Sequence, residues 1–129
     1  MKLLLRIFCC VSIFLFIPIF FVSCKTKRST YTEGLEYKLS SNGQYYILTS
    51  IGMAQEDTLN IPSKFNGLDV KVIGESAFEN YSFIKKIIMP NSIISIENSA
   101  FKNCYSLTNV VLSKNLQIIS DYAFYNCEN

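Results

Sequence analysis

The side chains of this chain best suited to chemistry are five thiols: Cys9, Cys10, Cys24, Cys104 and Cys127. No two of them form a CxxC pair, so neither a zinc site nor a dithiol redox motif is indicated. The chain has no His. That removes imidazole bases, His-containing catalytic triads and His metal ligands together. Among the carboxylates, Glu56-Asp57 is an adjacent pair in a polar connection with nothing around it to imply a cleft. Glu97 and Asp121 read as solvated turn residues. The expectation is a protein that is not an enzyme, with no cofactor, no metal and no small-molecule substrate.

Charge narrows the field further. The 129 residues carry 12 Lys and Arg against 10 Asp and Glu, and Lys2 and Arg6 account for the excess. A nucleic-acid binder needs a basic stripe to neutralise phosphates, and none is left once those two are set aside. The length allows one domain.

The elements that place the thiols begin with the N-terminus. Two positive charges precede an uncharged apolar run from Ile7 to Val22, and Pro18 lies near its end. That run is shorter than the roughly 20 residues of a membrane-spanning helix, and its order of charge, apolar stretch and small residue is that of a secretory signal. The alternative is an uncleaved anchor, with Leu3–Leu5 lengthening the run and Lys25, Lys27 and Arg28 as its flank. The signal ends in Phe21-Val22-Ser23-Cys24, which resembles a bacterial lipobox, although Phe21 stands where Leu is usual. The resemblance implies cleavage before Cys24 and lipidation of its thiol, hence membrane attachment through that lipid. Without lipidation, the same signal implies a secreted protein. Cys9 and Cys10 would leave with the leader. The polar run KTKRSTYTE, residues 25 to 33, reads as a flexible tether.

Beyond the tether, Leu35, Tyr37 and Leu39 alternate with polar residues, as do Tyr45, Ile47, Thr49 and Ile51, with Asn42-Gly43 between. Two period-2 runs around Asn-Gly predict a β-hairpin, placed to cover the first edge of the segment C-terminal to it. From residue 59 the sequence repeats. Ala77, Ala100 and Ala123 stand 23 residues apart, as do Phe78, Phe101 and Phe124, then Asn80, Asn103 and Asn126, then Ile73, Ile96 and Ile119. Tyr81, Cys104 and Cys127 share a further column. Leu59 to Pro62 matches Ile87 to Pro90 at a separation of 28, so the first unit carries five extra residues around Asn66-Gly67, expected as a protruding turn.

One such unit cannot bury its own apolar residues, whereas stacked units bury them against each other. Leu107, Val110 and Leu112 are expected to point inward from a short parallel strand, Phe101 to fill its coil, and Asn103 and Asn126 to hold a bend through neighbouring backbone groups. The stretch IGESAFENYSFIKKIIMPNSIISIENSAFKNCYSLTNVVL resembles the BspA-type leucine-rich repeats, carried by Ile96, Ala100, Phe101, Cys104, Leu107, Val110 and Leu112. Departures are Glu97 and Ser120 in the column where Gly74 keeps the family glycine, and Tyr81 in place of a cysteine. The resemblance implies a repeat solenoid of 23-residue units. It also implies a secreted or surface location and binding of a protein partner. Cys104 and Cys127 are then expected as stacked, buried free thiols.

The division read from sequence is therefore a lipoprotein-type signal peptide over 1–23, a flexible tether over 24–33, a hairpin cap over 34–58 and leucine-rich repeats over 59–129. The last repeat stops short of its next strand. A fragment of a longer array, end-to-end self-association and a frayed last coil are the readings of that stop. Outward positions of the strands, Lys86 and Ile88 in one unit and Asn109 and Val111 in the next, form the candidate binding stripe, edged by Lys85, Lys86 and Lys102. Equally, they are ordinary strand formers in a structural spacer.

Overall fold

The three Ala-Phe units become three stacked coils of a β-solenoid. The computed structural model describes residues 30–128. Nine short strands lie among them: β1 (Glu36–Leu39), β2 (Tyr46–Ser50), β3 (Thr58–Asn60), β4 (Lys64–Phe65), β5 (Leu68–Ile73), β6 (Lys86–Ile88), β7 (Ser95–Ile96), β8 (Asn109–Val111) and β9 (Ile118–Ile119). Each coil contributes one strand to each of two sheets. The first sheet runs β1-β2-β5-β7-β9 with β4 beside β5, and the second runs β3-β6-β8. Pairing between coils is parallel and follows the sequence period. Ile73 sits beside Ile96 and Ile96 beside Ile119, while Leu59, Ile87 and Val110 line up in the other sheet.

A corner joins the sheets, and its backbone is laddered too. The amides of Ser76, Phe78 and Asn80 donate to the carbonyls of Asn98, Ala100 and Lys102. One coil further on, Ser99, Phe101 and Asn103 donate to Asp121, Ala123 and Tyr125. The corner needs two left-handed residues per coil, Ser76, Ser99 and Tyr122 in one column and Asn80, Asn103 and Asn126 in another, with φ from 52° to 68°. Asn tolerates that region better than most L-residues. Its side chains were expected to bond nearby backbone. Instead they bond each other: Asn103 Nδ2 donates to Asn80 Oδ1 at 2.7 Å and Asn126 Nδ2 to Asn103 Oδ1 at 3.0 Å. Stacking in register puts an identical carboxamide within reach, so a ladder forms.

Inside, the rings of Phe78, Phe101 and Phe124 stack with centroids 5.1 Å apart and nearly parallel planes. Phe78 and Phe101 are fully buried among Val70, Ile73, Ile84, Ile87, Ile93 and Ile96. Two expectations change at coil 3. Leu112 is 44% exposed where its counterpart Met89 is 4%, and Ile119 is 52% exposed where Ile96 is 0%. Coil 3 has a neighbour on one side only among the described residues, so the same residue types lose half their cover.

The predicted hairpin is β1 against β2, antiparallel, and β2 then pairs in parallel with β5. The buried residue of β2 is Leu48, one step out of phase with Tyr45, Ile47 and Thr49. A register shift between Tyr46 and Ile47 accompanies the pairing with β5; a one-residue step swaps the faces of a strand. The extra residues of coil 1 form the β4–β5 hairpin, with Asn66 and Gly67 at positive φ. It does not stand free: Phe65 stacks on Tyr37 at 4.2 Å and meets Tyr46 edge-on at 5.0 Å. Burial pushes the Tyr37 hydroxyl up to about 12. Gly74 explains its own departure from Glu97 and Ser120. A Cβ there would come within 3.1 Å of Ile47 Cγ2 and of the Leu48 carbonyl oxygen, because this unit abuts the hairpin rather than another coil.

The last residues of the expected tether are tied down. The Thr32 amide donates to the Asn60 carbonyl and the Asn60 amide to Thr32 Oγ1, both at 2.9 Å, and Thr32 Oγ1 donates to Glu56 Oε2 at 3.0 Å. Thr32 is buried, so residues 30–32 run along β3. The leader and Cys24 lie outside the described residues.

Candidate functional site

The β3-β6-β8 sheet turns Leu59 and Ile87 inward, with Val110 half-buried in the same column. Alternation then sends the flanking residues outward. Register aligns Thr58, Lys86 and Asn109 in one row, and Asn60, Ile88 and Val111 in a second. The four residues singled out in the sequence thus share one face, and chain positions 23 apart become neighbours about 4.8 Å apart. Exposure rises along the array: Lys86 and Ile88 are partly covered, Asn109 is exposed and Val111 is 45% exposed.

The rows differ chemically. Thr58, Lys86 and Asn109 offer hydrogen-bonding groups and one cation, whereas Ile88 and Val111 make an apolar strip beside Asn60. Lys85 borders the face in an ion pair with Asp57 at 3.2 Å, both side chains more than half exposed. Such an exposed pair contributes little to stability. The backbone beneath is firmer. The Asp57 carbonyl accepts the amides of Lys85 and Lys86, and the Lys85 carbonyl accepts those of Thr108 and Asn109. Lys102, expected at the edge of this stripe, is instead held at the corner by Glu79 at 3.0 Å. The hydroxyl of Ser76 donates to the same carboxylate at 2.7 Å. That hydrogen bond first, and Lys102 second, hold Glu79 below the usual carboxylate range.

The thiols take no part in this face. Cys104 and Cys127 are free. Cys104 Sγ donates to the Phe78 carbonyl at 3.1 Å, and Cys127 Sγ to the Phe101 carbonyl at 3.2 Å, each reaching back one coil. Burial, followed by the neighbouring Cys127, pushes the Cys104 thiol up to about 12. Burial raises Cys127 as well. A thiol so shifted is a poor nucleophile and a poor metal ligand. Among the described residues no group of three or more Cys, Asp or Glu is placed to hold a metal ion. Sequence reasoning missed the inter-coil thiol hydrogen bonds, whose only trace was the shared column of Cys104 and Cys127.

Comparison with known proteins places this geometry. The family described as "BspA type Leucine rich repeat region (6 copies)" matches residues 53–129. Among solved structures, a leucine-rich repeat protein from Bacteroides capillosus is 35% identical with a TM-score of 0.64, the match covering 70% of each chain. A leucine-rich repeat protein of T. pallidum is 26% identical with a TM-score of 0.70, over 73% of this chain and 44% of that one. The present chain therefore spans less than half the length of that relative. A leucine-rich cell surface protein of Faecalibacterium prausnitzii, 24% identical with a TM-score of 0.64, shares the fold over 74% of this chain and 27% of its own. No curated protein matches.

Proposed function

The chain belongs to the BspA-type leucine-rich repeat family, and on that premise we propose that it is a protein-binding module displayed outside the cytoplasm. The observation that carries this reading is the pair of outward rows on β3, β6 and β8. Lys86, Ile88, Asn109 and Val111 there combine a cation, a carboxamide and an apolar strip on a laddered, rigid backbone. Parallel strands of a solenoid present extended surfaces of this kind to partners, and the mixture of apolar centre and polar rim suits a protein ligand. The partner is a surface, matrix or envelope protein, and the role is adhesion. Residues 1–23 act as a lipoprotein-type signal, lipid on Cys24 holds the protein to a membrane, and residues 34–58 cap the first edge of the array. The cell-surface description of the F. prausnitzii relative supports the location.

Photo-cross-linkers placed at positions 109 and 111 of the full chain, on intact cells, test the face. The expected result is a discrete cross-linked protein that disappears with Lys86→Glu and Val111→Glu together. Absence of any adduct from either position leaves the array as a spacer. The anchor is tested separately by the intact mass of the membrane-extracted protein, which should equal residues 24 onward plus acyl chains.

A further inference from the structure

The strand face does not stop at the ends of its strands. Asp57 and Lys85 stand immediately before Thr58 and Lys86 of the polar row, and both also line an open groove of about 730 Å³. Coils 2 and 3 each have a coil stacked before them. On this side coil 1 has the chain leaving β2 instead. That chain turns at Gly52, at φ 55°, and the Met53 amide donates to the Gly34 carbonyl. Ile51 and Ala54, both buried, line the groove from this segment. Tyr81 and Phe83 line it from coil 1. Their rings meet edge-to-face at 5.9 Å, and Phe83 is 41% exposed. In coil 2 the same positions are held by Cys104 and Ser106, so the aromatic wall is particular to coil 1. Gln55 and Ser82 add exposed polar groups to the lining.

Charge marks the step from groove to face. Lys85 is held by Asp57 at 3.2 Å. Lys86, the one cation of the two outward rows, makes no ion pair among the described residues. An ammonium group left unpaired in a contact surface is complemented by a carboxylate from the partner. Two residues further along β6, about 7 Å away, Ile88 lies beside Val111. The order across the surface is therefore apolar pocket, ion pair, unpaired cation, apolar strip.

We infer that groove and strand face are one site, and that its partner is an acidic protein loop with a bulky apolar residue at its tip. The inference rests on the reading of the β3-β6-β8 face as a protein-binding surface, and adds where the partner is anchored and what it must carry. The apolar residue enters between Phe83 and Ala54. A carboxylate close to it on the loop pairs with Lys86, and further apolar contact covers Ile88 and Val111. A large side chain seated in a pocket and surrounded by polar contacts is how protein interfaces concentrate their affinity. A small molecule in so open a groove would stay largely in water, whereas small-molecule sites enclose most of their ligand. A side chain carried on a partner's loop is covered by that loop.

The test selects phage-displayed, disulfide-closed random peptides against the full chain, then measures one enriched loop as a synthetic peptide. Enriched loops are expected to carry an aromatic or large aliphatic residue close to Asp or Glu. Phe83→Ser, the residue type that coil 2 carries at position 106, and Ser82→Trp, which fills the groove, should each weaken binding by about tenfold or more. Lys86→Glu should do the same, and exchanging the acid of the loop for Lys should restore binding to that variant. Val111→Glu should weaken it less. An unchanged circular dichroism spectrum verifies that each variant is folded. Loops lost with Lys86→Glu and Val111→Glu but indifferent to Phe83→Ser and Ser82→Trp would remove the groove from the site and leave the strand face standing. Loops that need Phe83 but ignore Lys86 and Val111 would overturn the joint site. Enrichment of basic loops, or of none, overturns it as well.

Discussion

Coils 2 and 3 carry the same Ile, Ala, Phe, Asn and Cys columns and differ in what surrounds them. Ile96 and Phe101 are fully buried, whereas Ile119 is 52% exposed and Phe124 only partly covered. Asn103 is bonded by a carboxamide on each side, and Asn126 on one. Burial in a repeat is thus a property of its neighbours as much as of its residues, as expected where stability is a sum of unit and interface terms.

The comparison breaks most sharply at the Phe stack. Phe101→Ala removes a ring sandwiched between Phe78 and Phe124 and should cost about 3–5 kcal/mol, as for other fully buried Phe. Phe124→Ala leaves a cavity open on one side, into which solvent and side chains can relax, so it should cost clearly less, at about 2 kcal/mol. Urea unfolding of the two variants measures both. Equal losses would mean that coil 3 is covered by something beyond the described residues.

The Asn column gives the next effect down. Asn103→Ala places an L-residue without a compensating side chain at φ 61° and removes both carboxamide bonds, for about 2 kcal/mol in all. Asn103→Gly relieves the backbone and should recover about half. At Asn126, with a single bond to lose, the Ala and Gly variants should differ mainly through the backbone. A thermal melt of the four variants separates the conformational share from the ladder share.

How much of this was readable beforehand depends on what each feature answers to. The coil count, the strand positions and the buried Phe column come from a fixed period, which is local information repeated. Asn66-Gly67 marked the extra turn of coil 1 because left-handed φ leaves a residue signature. Phe65 packing on Tyr37 left none, since nothing in a hairpin turn says which ring it will find. The phase of β2 was likewise hidden. Alternation picked out Tyr45, Ile47, Thr49 and Ile51, but Tyr46 and Leu48 between them are apolar too, so the pattern could not fix the face, and pairing with β5 chose Leu48. Gly74, in the column where later units carry Glu97 and Ser120, is a clearance for Ile47 and Leu48, which the repeat pattern could not show. Outward placement of Lys86, Ile88, Asn109 and Val111 could be read, because strand alternation is strict.

The smallest effect concerns the two thiols, and it sharpens the same contrast. Cys104 lies in coil 2 with its thiol buried, Cys127 in coil 3 with partial cover. Folding raises the Cys104 value from 9.0 to about 12, so the folded state holds the proton more tightly than the unfolded state. The associated stability is whole below pH 9, where both states are protonated, and erodes as the pH rises from 9 toward 12, where the unfolded thiol ionises first. Tyr37 acts in the same direction between 10.0 and about 12. Alkylation of the folded protein at pH 9 should therefore modify Cys127 well before Cys104, and denaturant should abolish the order. Cys104→Ser should leave the alkaline loss to Cys127 and Tyr37, both also raised by burial, and so make it smaller without abolishing it. Simultaneous modification of both thiols in the folded state would place coils 2 and 3 in one opening unit, and the difference between them would then be one of exposure without a difference in local stability.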